Sequence, residues 1–245
     1  MQRMDGLMQS QCLTAPAARL RTSSLLQVHL LGCAAFEDVL SLQRRLLHQI
    51  ENDRSQSALI VCEHEPTITV GRLGSRSHIH IELEEMRVRG WHVRWLNRGG
   101  GCVFHVPGQL AIYPIVALDR LGFNMQDYLE RMTTVARELL EDYMVRAQFD
   151  AATGQMFVNE RPIAVLGAAV RHWVSYHGLF FNVQPDLDLL RRVRSAAGAL
   201  PMTSLERERH SPVAMQRMRE RAIELVAEQF GCAQTAVFFD HAGRL

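Results

Sequence analysis

At 245 residues, 47% hydrophobic and 22% charged, the chain can form one large globular unit or two small ones, each with an ample core. A net charge of +1 supplies no basic field of the kind that draws nucleic acid or an anionic membrane, and no apolar run is long enough to span a bilayer. Cys12, Cys33, Cys62, Cys102 and Cys232 show no CxxC spacing and are odd in number, which reads as reduced thiols in a cytoplasmic protein.

Residues 1 to 24 are poor in acidic side chains and carry Arg3, Arg19 and Arg21. A targeting peptide has this bias, but the continuous apolar stretch of a secretory signal is missing. The segment reads as a loose extension over 1–28, ahead of a single domain over 29–235 and a C-terminal tail over 236–245. Phe36, Val39, Leu40, Leu46, Leu47 and Ile50 recur at helical spacing and predict an amphipathic helix over 34–52. The run ALIVC (58–62) predicts a buried strand, ITV (68–70) a short one after Pro66, and WHVRWL (91–96) a half-buried one. QLAIYPIV (109–116) is again a strand, and Tyr128, Met132, Val135, Leu139 and Tyr143 predict a second long helix capped by Asn124. MFV (156–158) and IAVLGAAV (163–170) form a strand pair around a turn at 159–162, and YHGLFFNV (176–183) adds another strand. Ser211 followed by Pro212 predicts an N-cap and first helical position for a helix running to about Phe230. The expected fold is mixed α/β, with a central sheet from strands near 58–62, 91–96, 110–116 and 163–170, packed by helices near 34–52 and 125–144.

Candidate chemistry begins at RGGGCVFHVPGQL (98–110), where three glycines, one arginine and one histidine sit between strands. Glycine is what a backbone needs when something approaches it closely. The stretch is neither a P-loop nor GxGxxG, so glycines alone support a structural hairpin better than a nucleotide site. His78 and His80 could face one way on a strand, yet no HExxH or Cys/His array accompanies them, and no metal is expected. His105 and His177 each lie beside glycine in apolar surroundings, as either packing residues or parts of one cleft. There is no GxSxG. All 27 basic residues are arginine, so no side-chain amine can act as base, nucleophile or Schiff-base former.

Several segments together resemble the lipoyl(octanoyl) transferase family, also called octanoyltransferase or lipoate-protein ligase B. EHEPTITVGR (63–72) is similar to the family's EHxPvyTlGR, and RGGGCVFHVPGQLAIYPIV to RGGxvTyHGPGQlvvYpl. RPIAVLGAAVRHWVSYHGLFFNVQPDLDLL and MTSLERE follow in family order, so the resemblance spans about residues 30–230. It implies the mixed-sheet fold of the biotin and lipoate protein ligases and transfer of octanoyl from acyl carrier protein to a lysine of a lipoyl domain, with no cofactor. The implied partners are octanoyl-acyl carrier protein and the lipoyl domains of 2-oxoacid dehydrogenases or glycine cleavage protein H.

Carried over by position, the acyl groove comprises Arg98, Gly99, Gly100, Gly101, Cys102, Val103, Phe104 and His105. Val165, Leu166 and Gly167, with Gly178, Leu179 and Phe180, complete it. The resemblance implies that His105, Gly167 and Gly178 converge on one elongated apolar cleft, with Arg98 at its mouth as a structural or carboxylate-paired charge. The family's Cys/Lys pair is missing: Pro162 stands at the lysine position, and Ser195 or Ala196 at the cysteine position. Val103 and Val106 replace the usual Thr and Gly. Three readings follow. The chain is an acyltransferase by another route, using Ser195, Cys102 or direct attack of the amine; it is a non-catalytic acyl-chain, acyl-carrier or lipoyl-domain binding paralogue; or it is an ATP-dependent ligase, which the absence of lysine disfavours. No covalent adduct is expected on Ser195 or Cys102.

Overall fold

A computed structural model describes residues 25–195 and 200–240. Its strands are β1 (Leu25–Ala34), β2 (Ser57–His64), β3 (Thr67–Val70), β4 (His92–Trp95), β5 (Cys102–His105), β6 (Gln109–Val116), β7 (Gln148–Asp150), β8 (Gln155–Val158), β9 (Arg161–Arg171), β10 (Val174–Asn182) and β11 (Gln234–Asp240). Three long helices, α1 (Phe36–Asn52), α4 (Met125–Glu141) and α7 (Met215–Gln229), join the short α2 (Leu83–Val88), α3 (Leu118–Leu121), α5 (Leu187–Leu190) and α6 (Leu205–Arg209).

Eight strands form one mixed sheet in the order β11-β1-β2-β6-β10-β9-β8-β7. β1 is parallel to both β11 and β2, and the remaining pairs are antiparallel. The unbroken apolar run of β2 reflects its place inside the sheet, covered on both faces. Leu59 and Val61 face α4 and α7, whereas Ala58, Ile60 and Cys62 face α1 and a second sheet of order β4-β3-β5. α4 starts where its cap places it: the Asn124 side chain accepts from the Gln126 and Asp127 N–H groups, and Asp127 returns a bond to the Asn124 N–H. Between β8 and β9, Asn159 and Glu160 both have positive φ (48° and 65°), the mirror-image turn that suits a two-residue hairpin.

The structure differs from three expectations. The 91–96 strand is not in the central sheet: β4 is an edge of the small sheet, parallel to β3, and His92, Arg94 and Trp95 are exposed. An edge strand with a polar outer face mimics the alternation of a half-buried central one. The last long helix begins at Met215 with Ala214 at its cap, because the chain runs on past Ser211 to bury Val213 before it coils. His78 ends a 3₁₀ turn and His80 is exposed, so the strand arrangement weighed and set aside for them does not occur. The boundaries drawn at residues 28 and 235 fall inside β1 and β11, which pair with each other. Cys33, Cys62, Cys102 and Cys232 are free thiols; Cys12 and Ala196 lie outside the described residues. No helix among the described residues is long and apolar enough to cross a membrane.

Candidate functional site

The glycine loop 98–101 closes the open edge of β9 beyond the end of β8. Gly99 N–H donates to the Ala168 carbonyl at 2.9 Å. The 71–73 segment straps the loop from the other side, through Gly71 N–H to Gly101 O, Arg72 N–H to Arg98 O and Leu73 N–H to Gly100 O. Gly100 has φ of 76° and turns the chain. Neither the Gly100 nor the Gly101 N–H meets an acceptor among the described residues, although both residues are buried. Adjacent backbone donors without an acceptor are the kind of group that a partially negative oxygen binds.

Arg98 is not at a mouth. Its side chain is 0% exposed and lies under the loop, 5.5 Å from the centre of the Phe180 ring. Nη1 donates to Gly99 O, and Nη2 donates to Thr69 Oγ1 at 2.7 Å and to Thr69 O at 3.2 Å. Among the described residues Nε has no partner and no carboxylate pairs with the guanidinium, so of the two expected roles, structural or carboxylate-paired, its bonds fit the structural one. Burial without a counter-charge pulls its pKa down to about 10. Gly167 leaves room for this group: a Cβ there would stand 3.1 Å from Nη1.

Arg98 anchors a buried polar chain whose proton order follows from its one-way donors. Thr69 Oγ1 accepts from Arg98 and donates to His105 Nε2 at 2.8 Å. His105 Nδ1–H then donates to Gln109 Oε1 at 3.0 Å, Gln109 Nε2 to Asn182 Oδ1, and Asn182 Nδ2 to the Thr203 carbonyl. Both ring nitrogens of His105 are thereby committed, and burial with His64 and Arg98 nearby holds it neutral, its pKa well below the usual value. His105 is a strut between the two sheets, not a free base.

The remaining groove residues do not line one cleft. Successive residues of a strand face opposite sides. Val165 and Phe180 join the core on the α1 side, whereas Leu166 and Leu179 face the helical layer. Val103 and Phe104 are packed in the small sheet, with Phe104 edge-on to Trp91. Gly178 makes way for a neighbouring strand, since a Cβ there would overlap the Ile112 carbonyl of β6. Gly101 similarly abuts the Ser195 carbonyl. What opens beside the loop is an apolar cavity of about 260 Å³ on the helical face, walled by Gly99, Gly100, Leu166, Met125, Leu129 and Phe149.

The candidate nucleophiles are all occupied. Ser195 is 5% exposed, and its Oγ accepts from Gln155 Nε2, with no bond to either His105 or His177. Cys102 is buried, its thiol turned to the Ser75 carbonyl and its pKa raised by burial. Pro162 is buried at the edge of β9, its carbonyl bound by Thr203 N–H. His177 is 2% exposed, and burial lowers its pKa to about 3. Sequence reasoning missed Gln155 and Thr69; their only sequence signal was a polar residue in an otherwise apolar strand.

The mixed eight-stranded sheet flanked by helices has the fold of the lipoate-protein ligases. Among solved structures, *lipoate-protein ligase A bound with ATP* has a TM-score of 0.64 at 16% identity, covering 91% of this chain and 90% of that one. *P. falciparum* LipL1 in complex with lipoate has a TM-score of 0.68 at 12% identity, covering 87% and 66%. At such identities the likeness is one of fold. The lipoyl protein ligase A/B catalytic domain model matches residues 36–227. The octanoyltransferase of *Pelobacter propionicus* is 31% identical over 193 residues, covering 78% of this chain and 88% of that protein. The *Pseudomonas fluorescens* octanoyltransferase is 34% identical over 176 residues, covering 71% and 79%. The chain belongs to the lipoyl protein ligase A/B family, within its lipoyl(octanoyl) transferases.

Proposed function

We propose that the chain transfers an octanoyl group from acyl carrier protein to a lysine of a lipoyl domain by direct attack, without an acyl-enzyme. The acyl chain occupies the cavity walled by Met125, Leu129, Phe149 and Leu166. Its thioester oxygen rests on the Gly100 and Gly101 N–H groups. The observation that carries this reading is that pair of backbone donors, which meet no acceptor among the described residues, backed by the Arg98 charge, which no carboxylate among the described residues offsets. As the lysine nitrogen bonds to the carbonyl carbon, negative charge grows on the oxygen, where fixed donors act without reorganising. The C–S bond then breaks, and the proton lost by the amine ends on the departing thiolate. Positioning does the rest, contributing up to roughly 7–11 kcal/mol in well-oriented model systems. Family membership supports the substrates, and the sealed Ser195 and Cys102 support the absence of a covalent step.

The test mixes the full chain with octanoyl-acyl carrier protein and an apo lipoyl domain and records intact masses of all three. An octanoylated acceptor with unmodified enzyme is expected. An acyl-enzyme overturns the direct route, and an unmodified acceptor overturns catalysis in favour of a binding role.

A further inference from the structure

The buried polar network that ends on Arg98 takes its direction from its far end. The Thr203 carbonyl can only accept, and its place is set by Thr203 N–H donating to Pro162 O at 2.8 Å and Glu206 N–H to Val183 O at 3.0 Å. That carbonyl and the Met202 sulfur, at 3.0 and 3.5 Å, both face Asn182 Nδ2, so Oδ1 is the end turned to Gln109. Gln109 must then present Nε2 to Asn182, at 2.8 Å, and Oε1 to His105. An oxygen facing Nδ1 demands a proton there, and a neutral His105 has none left for Nε2. Nε2 therefore takes the Thr69 hydroxyl proton, and the Thr69 oxygen is left to accept from Arg98 Nη2. None of Thr69, Arg98, His105, Gln109 and Asn182 is more than 3% exposed, so bulk water does not substitute for any link.

A reversal at one end is felt at the other. With Gln109 flipped, His105 would carry its proton on Nε2, Thr69 Oγ1 would meet two donors, and the hydroxyl proton would lose its acceptor. Bonds in such a network polarise one another, so the hold of Thr69 on the guanidinium depends on every link. Packing alone would be served as well by apolar side chains of the same shape. What those could not do is bring an ordered acceptor to a buried cation.

The geometry points to Gln109 and Asn182 as positioning residues for octanoyl transfer: they keep the His105 proton on Nδ1 and, through Thr69, seat the Arg98 guanidinium beneath the loop 98–101. This rests on the proposed reaction, in which the Arg98 charge backs the thioester oxygen. Among the described residues neither side chain bonds to the loop, so both act through His105 and Thr69.

Two measurements on the full chain test it. In protein labelled with ¹⁵N-histidine, long-range ¹⁵N–¹H NMR correlations distinguish the two tautomers, and the His105 signals are those lost in His105→Gln. The Nδ1–H form is expected; the Nε2–H form, or a mixture, overturns the proposal, and this reading needs no variant of Gln109 or Asn182 to fold. With octanoyl-acyl carrier protein and an apo lipoyl domain, Gln109→Leu and Thr69→Val should each lower kcat by about tenfold with little change in KM. The double variant should be no slower than Thr69→Val alone, because Gln109 acts through Thr69. A residue that only filled space would add its own loss, so effects that multiply overturn the proposal, as does a change confined to KM or a Gln109→Leu variant at the wild-type rate. A wild-type chain that transfers no octanoyl removes the reaction and this role with it. A wrong tautomer or a multiplying pair beside an active wild type removes this role alone.

Discussion

Arg98→Met separates two roles that a buried arginine can play. Burial lowers the Arg98 pKa from 12.5 to about 10. At about 1.4 kcal/mol per pH unit, holding that charge inside costs the folded state about 3 kcal/mol. Methionine removes this cost and fills most of the same volume. It also leaves the Gly99 and Thr69 carbonyls without a charged donor, a loss of about 1.5–3 kcal/mol for each bond, while Thr69 Oγ1 keeps its bond to His105. The two sides partly cancel, and the unfolding free energy is expected to fall by no more than about 3 kcal/mol. Removing one member of a buried ion pair would instead cost about 3–5 kcal/mol. Octanoyl transfer should fall far more, by roughly 10²–10³-fold, as when a positive group behind a developing oxyanion is lost. Urea unfolding followed by circular dichroism gives the first quantity, and the rate of mass gain of the lipoyl domain gives the second. A stability loss beyond about 4 kcal/mol, or transfer at the wild-type rate, would refute the reasoning.

Ser195→Ala should transfer octanoyl at the wild-type rate, since its hydroxyl is bound by Gln155 and takes no part; a large loss of rate measured with the same acceptor would restore Ser195 as nucleophile. Gly108→Ala should lower the unfolding free energy by about 2–4 kcal/mol, because φ is 87° and a Cβ would overlap the Gln184 carbonyl; urea melts check it. Acid should weaken the fold through its buried histidines. Burial lowers His64 to about 4 and His177 to about 3, and holds His105 well below its usual value, so the unfolded chain takes up protons that the folded one refuses. Stability is then complete above about pH 6.5 and lost as pH falls from there toward 4, by about 1.4 kcal/mol per pH unit for each histidine; His64→Gln should show a shallower slope between pH 7 and 5 in urea melts.

Local pattern carried most of the secondary structure, because hydrophobic period and capping chemistry act within a few residues. The spacing of Tyr128, Met132, Val135 and Leu139 and the Asn124 cap suffice to place α4, and Asn159 with Glu160 suffices for the β8–β9 turn. The glycine loop and the family were legible for a related reason: contiguous motifs keep their identity wherever the fold puts them. Sheet membership was not, since His92–Trp95 shows the same alternation at the edge of the small sheet as it would in the large one. The groove drawn from consecutive residues came apart on the pleat, which sends Val165 and Leu166 to opposite faces. Whether Arg98 meets a carboxylate, whether Ser195 is free, and which end of the Gln109 amide faces His105 depend on neighbours 29, 40 and 73 residues away. A chain records which polar groups it carries, but their partners are assigned only when distant strands close on one another and exclude the water that would otherwise serve every one of them alike.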